Sequence, residues 1–429
     1  MFDPKETIMY ESPMKSSVQS PRAAFSRRHF LENVAAAAAS APLAGAAAAL
    51  AADKPAATPQ PIERKIKLGV IGCGGRGQWV SKYFKQHGGY EFHAACDYFQ
   101  DAVDQFGETF GVDKARRFCG LSGYKKLIAS GVEAVAIEDL PYFYPEQAKA
   151  AVEAGRHVYL AKPVAVDVPG VLTVEAAGKL ATHKKLCFLV DYQMPTDPVN
   201  IEIAKRIGEG ALGKLAYVIS AGCATLWPEP PASSTIEQRL RNSMWLRDVT
   251  LCGDSCVAFD IHSIDAMTWV LGQRPTSAVG YSRVTRPNPQ LDGRDTLNVL
   301  FHCANGLIWN HVSQSLNNNC DLGLSAYLYG TVANARVRYD TKAYIQGGPK
   351  HYVGNVVNLY EAGVQRNVAQ FYRNITEGRF ENPTVKRAVD GHLTAILGRE
   401  AAYRQGRLTM DELLKENKRL ELDLSGLKS

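Results

Sequence analysis

A chain of 429 residues, 46% hydrophobic and with a net charge of only +6, is long enough to bury two cores and has the composition of a globular protein. It holds no block of five or six like charges and no basic stripe, which excludes the electrostatic footprint of a nucleic-acid or anionic-membrane binder. Nine cysteines run from Cys73 to Cys320 without a C-x-x-C pair, and no His, Cys, Asp and Glu group has metal-ligand spacing, so buried free thiols and no metal are expected.

Residues 1–51 read as an export signal. Ser26-Arg27-Arg28-His29-Phe30-Leu31 matches the twin-arginine pattern, an address read by a receptor. The Ala-rich run 34–50 behind it, broken by Pro42 and Gly45, is too short and too weakly apolar for a membrane span. Ala49-Leu50-Ala51 offers a small-x-small cleavage site, so an exported, periplasmic mature chain with no membrane span is expected to begin near Ala52. Residues 52–64, with Pro55, Pro59 and Pro61, form a linker.

Residues 66–77 run from an apolar strand into a glycine-rich turn. Gly72, Gly74 and Gly77 stand in G-x-G-x-x-G register, the pattern in which backbone closes around a pyrophosphate and the next helix, expected over 78–86, presents its amides to it. A second strand, 91–96, ends in Asp97, 25 residues beyond Gly72 and near the usual distance for the acid that accepts from ribose hydroxyls. Asp97 is followed by Tyr98 and Phe99 without an adjacent Arg or Lys, which favours NAD over NADP.

From 65 to 191, β runs alternate with amphipathic helices, the signature of a doubly wound parallel sheet. Strands are expected at 65–71, 91–96, 132–137, 157–160 and 186–190, and helices at 101–110, 122–129, 145–154 and 168–182. Ligands of such sheets sit at the carboxyl ends of the strands, which singles out 139–145 and Ala161-Lys162-Pro163. From 192 to 429 the runs suit an α+β domain with a mostly antiparallel sheet. Its strands are expected at 215–223, 276–284, 296–303, 306–313, 322–329 and 335–339, with helices at 198–209, 255–271, 363–377, 385–405 and 410–417.

Two places carry chemistry. Lys162 follows a buried strand at the crevice mouth, where a cation could stabilise a developing alkoxide or hold a carbonyl oxygen. Asp260-Ile261-His262-Ser263-Ile264-Asp265 places an imidazole among carboxylates, and His262 is expected to move the proton with help from Asp260, provided that the helix begins between them. Asp265 suits a capping or structural role. Trp227, Trp245 and Tyr192 are candidate sugar-stacking groups.

Taken together, Gly72 to Gly77, Asp97, Pro141 to Pro145, Ala161-Lys162-Pro163 and Gly253 to Gly272 with its His-x-x-Asp resemble the Gfo/Idh/MocA family, over nearly all of the chain beyond residue 62. The resemblance implies a Rossmann domain followed by a domain with a large open sheet, NAD or NADP as cofactor, a sugar or polyol substrate, and homo-oligomers packed through that sheet. The cofactor-binding set it implies is Gly72, Cys73, Gly74, Gly75, Arg76, Gly77 and Asp97, with Pro141, Ala161, Lys162 and Gln193 from later strand ends. Four departures stand out. Ala161 replaces the family's usual glutamate, Ala258 stands where many members have an aspartate four residues before the histidine, Asp139-Leu140-Pro141 replaces a Thr-Pro-Pro turn, and Tyr144 replaces a frequent histidine. The activity expected is hydride transfer between a sugar or polyol and a tightly bound nicotinamide cofactor that the exported protein carries with it. The alternatives are a glycosidase working by transient oxidation and a binding protein without turnover.

Overall fold

The computed structural model describes residues 62, 64–225, 229, 231, 235–241 and 244–429. The export signal, nearly all of the linker and Trp227 lie outside the described residues. Residues Ile62–Ser429 form one compact unit.

The first half builds a parallel sheet from β1 (Ile66–Ile71), β2 (Tyr90–Asp97), β3 (Arg117–Cys119), β4 (Ala134–Ile137), β5 (His157–Ala161) and β6 (Phe188–Asp191). Their order in space is β3-β2-β1-β4-β5-β6, so the order reverses between β1 and β4, and a crevice opens beyond their carboxyl ends. The connecting helices are α1 (Gly75–His87), α2 (Gln100–Phe110), α3 (Gly123–Ala129), α4 (Tyr144–Glu153) and α5 (Val168–His183). Because helices cover both faces, the central strands β1 and β4 are apolar on both sides of the sheet, apart from Lys67 near the start of β1. Leu68, Val70 and Tyr159 enter one core, and Ile71, Val135 and Leu160 enter the other. The strand β3 escaped sequence reading, since three half-buried residues beginning with Arg117 carry no periodic signal.

The second half starts with α6 (Pro198–Gly208), whose first turn is capped by Asp197 accepting from Val199 and Asn200 amides. A nine-stranded sheet follows: β7 (Leu215–Ala224), β8 (Ser277–Arg283), β9 (Thr296–His302), β10 (Ile308–Ser315), β11 (Leu324–Gly330), β12 (Asn334–Arg338), β13 (Thr341–Gln346), β14 (Tyr352–Val356) and β15 (Arg407–Thr409). Its order is β14-β13-β12-β11-β7-β10-β9-β8-β15, antiparallel except for β7 beside β10. The strands β13, β14 and β15 were not expected. The first two lie at one edge of the sheet with only Ala343, Ile345 and Val356 buried, and the third has three residues.

The helix expected over 255–271 is broken. Asp254 takes a positive φ of 74°, a four-residue turn covers Ser255–Ala258, and α7 begins at Ile261 and ends at Leu271. Helix α8 (Leu359–Thr376) returns to the first sheet, burying Val364, Val368 and Phe371 against Val70, Tyr159 and Leu189. Helix α9 (Pro383–Arg404) is buried along most of its length and touches both halves, packing on α5, β6, α7 and β8. Helix α10 (Met410–Glu416) closes the fold behind the capping box of Thr409 and Glu412.

Candidate active site

The turn after β1 is shaped by two glycines. Gly72 sits at φ +90°, where a Cβ would lie 2.5 Å from the Asp139 nitrogen, and a Cβ on Gly77 would lie 1.9 Å from the Gly72 carbonyl. Gly77 therefore packs helix on strand. Above Gly74 and Gly75 a Cβ would meet nothing within 4 Å. Helix α1 starts at Gly75, earlier than expected, with no side-chain cap and no acid in its first turn, so its leading amides and positive dipole end are left for an anion. This donor set and this open space fit a dinucleotide pyrophosphate.

Asp97, at the end of β2, is held by two backbone amides: Cys73 N donates to Oδ2 at 2.7 Å and Phe99 N to Oδ1 at 2.9 Å. Burial raises its pKa and those two donors oppose the rise. From here a cavity of about 780 Å³ runs past Pro141 to Ala161, Lys162 and Gln193, and ends at His262 and Tyr339. Cys73 and Arg76 line it as well, so the expected cofactor set, apart from Gly77 beneath it, comes together around one space.

Lys162 follows β5, with a cis peptide to Pro163. Helix α9 holds the backbone beyond it: Val164 N donates to His392 Nε2 at 2.9 Å, and Arg399 Nη1 donates to the Val166 carbonyl at 2.8 Å. The Lys162 ammonium donates to the Ala258 carbonyl at 2.9 Å. Burial brings it down to about 7, with Arg76 adding to the effect and Asp191, Asp260 and Glu138 opposing it. His262, on the first turn of α7 and only 7% exposed, stands edge-on to Tyr339 with ring centroids 5.0 Å apart. Burial, then the charges of Lys162 and Arg76, push the imidazole well below its ordinary pKa. It is neutral, and its Nδ1 has no partner.

Asp260 does not join His262. Although the helix does begin between them, the carboxylate turns to the second sheet, where Oδ2 lies 3.1 Å from His311 Nε2. His311 Nδ1 meets Ser220 Oγ at 2.8 Å, and Trp309 Nε1 donates to the same hydroxyl at 2.7 Å. Gly222 makes room for this, since a Cβ there would lie 1.8 Å from Asp260 Oδ1. Asp260 thus anchors the start of α7. Together with Cys256 it forms the group Cys256, Asp260 and His311, whose ligand atoms lie within 4.8 Å, buried among these hydrogen bonds. Asp265 bonds Arg387 Nε at 2.9 Å, the structural role expected of it. Tyr192 is buried core, with its hydroxyl 3.2 Å from His392 Nδ1, so it cannot stack on a sugar; Trp245 is half-buried on the cavity wall.

Arg76 also departs from expectation. Its guanidinium is taken up by acids, with Nη2 at 2.7 Å from Asp191 Oδ2 and Nε at 3.3 Å from Glu138 Oε2, while Nη1 donates to the Tyr360 hydroxyl at 3.2 Å. Asp191 also accepts from Asn367 at 2.7 Å and from Gln193 at 3.3 Å. Burial pushes Glu138 up to about 8, against the pull of Arg76, and its Oε1 has no partner. Sequence reasoning missed both acids. Glu138 was within reach, because it is the first residue after β4 at the carboxyl end of the sheet, one position before the segment singled out.

Residues 66–192 match the Gfo/Idh/MocA oxidoreductase family, NAD-binding Rossmann fold. Among curated proteins, inositol 2-dehydrogenase of Burkholderia ambifaria is 22% identical over 347 residues, covering 77% of this chain and 91% of that protein. Among solved structures, aldose-aldose oxidoreductase from Caulobacter crescentus, complexed with glycerol, is 18% identical with a TM-score of 0.66, covering 81% of this chain and all of that one. Scyllo-inositol dehydrogenase from Lactobacillus casei, with bound NAD(H) and scyllo-inositol, is 15% identical with a TM-score of 0.64 and covers 81% and 100%. The two-sheet architecture is therefore shared with these solved structures, and the first sheet matches the NAD(P)-binding Rossmann fold of the Gfo/Idh/MocA family model.

Proposed function

We propose that this chain is an exported NAD-dependent oxidoreductase that moves a hydride between a carbinol carbon of a sugar or polyol and a tightly held nicotinamide cofactor. The observation that carries this reading is Lys162, an amine poised near neutral pH on the wall of the cavity that begins at the glycine cradle. The substrate class follows the named activities of the relatives, which turn over inositols and aldoses.

The amides of residues 73–77 would hold the pyrophosphate, and Asp97 would accept from the ribose hydroxyls and repel a ribose phosphate, which favours NAD. The nicotinamide, when bound, supplies the hydride acceptor or donor. As a substrate hydroxyl is oxidised, the neutral Lys162 amine takes its proton, and in the reverse direction the ammonium returns it. His262, held neutral, accepts a hydrogen bond from a substrate hydroxyl at its free Nδ1 and so orients the sugar. Its role is positioning, in place of the proton transfer expected from sequence.

The proposal extends to assembly and location. The outer face of the nine-stranded sheet exposes Tyr217, Tyr281, Leu300 and Ile308, an apolar surface suited to a second copy of this chain. Among the described residues no helix is long and apolar enough to cross a membrane. Light scattering on wild type and on Ile308→Asp tests the interface, with a monomeric wild type opposing it.

The central test is mass spectrometry of bound nucleotide on the purified protein, followed by absorbance at the NADH band while inositols and aldoses are added. Bound NAD, a substrate-dependent absorbance change and loss of about 10²-fold or more in rate for Lys162→Ala are expected. A protein that binds no nicotinamide nucleotide, or a Lys162→Ala variant with unchanged turnover, overturns the reading.

A further inference from the structure

Glu138 stands one residue beyond the last pairing of β4 with β5, Ile137 opposite Leu160, so it lies beside Ala161. Ala161 in turn pairs with Asp191 of β6. Three neighbouring strands thus present a carboxyl, a methyl and a carboxyl in a row immediately before Lys162. Arg76 bridges the two acids. Asp191 is satisfied by Arg76, Gln193 and Asn367, whereas Glu138, with its side chain 1% exposed, keeps Oε1 without a partner on the wall of the cavity that Lys162 also lines. A buried polar oxygen left unpaired is costly, and inside a ligand cavity that cost points to use.

We propose that Glu138 is the proton store of this site: the proton given up by an oxidised hydroxyl passes through Lys162 to the Glu138 carboxylate, and returns by the same path when hydride is given back. This rests on the redox reading above. The step balances without another reactant: the O–H and C–H bonds of the carbinol break and C=O forms, the hydride with its electron pair goes to the nicotinamide, and the proton goes to nitrogen and then to carboxylate. The positive charge lost from the ring is matched by the negative charge lost from Glu138, so the net charge of the cavity does not change.

The groups facing Glu138 set the direction. Arg76 from α1 and Lys162 after β5 favour its ionised form, while burial and Asp191 from β6 favour the protonated one, and the Tyr144 and Tyr159 hydroxyls from α4 and β5 stand close by. In the cofactor-free protein the balance leaves the carboxyl protonated below about 8; a positively charged nicotinamide ring in the same cavity would favour the carboxylate, and its reduction removes that charge, so the carboxyl takes up a proton as the ring is reduced. An enzyme that retains its cofactor gains from this, since hydride and proton are both kept for the return half of the cycle.

The test needs no substrate. The purified full chain is equilibrated with mixtures of NAD⁺ and NADH from pH 6.5 to 9.5, freed of unbound nucleotide, and its bound nucleotides are quantified. If reduction of the ring is matched by protonation of Glu138, preference for NADH over NAD⁺ falls about tenfold per pH unit wherever the carboxyl is protonated in one complex and ionised in the other. In Glu138→Gln the preference should be flat with pH. A flat wild-type preference overturns the proposal even if the variant does not fold, and so does a slope that survives in Glu138→Gln but is lost in Lys162→Ala. Polyol turnover with a flat preference rejects only the proton store, whereas the slope without any polyol turnover rejects only the substrate reading.

Discussion

Replacing Lys162 with Met keeps the stem and removes the charge, and the structure predicts that this catalytic loss comes with a gain in stability. Burial moves the amine from its ordinary 10.5 to about 7. That difference is worth about 5 kcal/mol against the charged form, and about 3 kcal/mol once solvent reaching the partly open head is allowed for. The sign is fixed by proton counting. Between pH 7 and 10.5 the unfolded chain holds the Lys162 proton and the folded one does not, so wild-type stability rises with pH in that window, and below pH 7 the full penalty remains. Glu138, raised by burial, contributes the opposite slope, favourable below its ordinary range and lost as pH climbs through about 8, but it is present in both proteins and largely cancels in their difference. Lys162→Met should therefore exceed wild type by about 3 kcal/mol at pH 6, narrowing to about 1 kcal/mol at pH 9. Urea unfolding of the cofactor-free proteins at both pH values measures this. A variant less stable than wild type at pH 6, or a difference independent of pH, would show Lys162 to be an ordinary solvated ammonium, and the assignment of its neutral amine as proton acceptor would fail with it.

Gly77→Ala, whose Cβ would fall 1.9 Å from the Gly72 carbonyl, should abolish soluble nucleotide-binding protein, while Gly74→Ala, with nothing within 4 Å, should fold normally and lose bound nucleotide; equal behaviour of the two would refute the division of labour in the cradle. Calorimetry should give wild type tighter binding of NAD than of NADP, with the discrimination weakened in Asp97→Ala, and a wild type that prefers NADP would contradict the role given to Asp97. Arg387→Met leaves the buried Asp265 carboxyl without its guanidinium and should cost about 3–5 kcal/mol near pH 8. The loss should shrink at pH 5, where Asp265, already held at about 6 by burial, carries its proton, and chemical unfolding at both pH values shows whether it does.

Some of this site was legible and some was not, for local reasons. The cradle could be found because each glycine answers a steric demand within a few residues, and Asp97 because β2 ends a fixed distance along a repeating unit. Lys162 was visible because a strand end in a parallel sheet faces the crevice. Asp260 was misjudged because the direction of a side chain at a helix start is decided by tertiary neighbours, here His311 from 51 residues away and the gap at Gly222. Glu138 and Asp191 carry no local signal at all, since their shared partner Arg76 lies 62 and 115 residues earlier. In the same way, nothing in 359–376 announces that this helix completes the core of the first sheet rather than the second.

On the export reading proposed above, a cofactor that leaves the cytoplasm inside a folded protein is not replaced, so the adenosine end of the crevice should release it slowly. Residues distant in sequence converge there. Arg241 grips Asp101 with both nitrogens at 2.9 Å and lies 3.8 Å over the Phe99 ring, and Tyr98 donates to Glu237 at 3.0 Å. The C-terminal tail joins them: Leu121 N donates to the Lys428 carbonyl at 2.9 Å, Lys428 N donates to the Tyr98 hydroxyl at 3.3 Å, and Leu422 and Leu427 pack on the cluster of Leu140, Leu240 and Leu251. Each of the two tail leucines buries apolar surface worth about 1–2 kcal/mol, so losing both should speed opening of this end by roughly 10- to 10³-fold. Truncation after Lys418 is therefore expected to leave the fold and the nucleotide content intact while isotopically labelled NAD exchanges with bound NAD at least tenfold faster. An exchange rate equal to that of the full chain would mean that the tail only decorates the rim, and retention would have to be sought in the cradle itself.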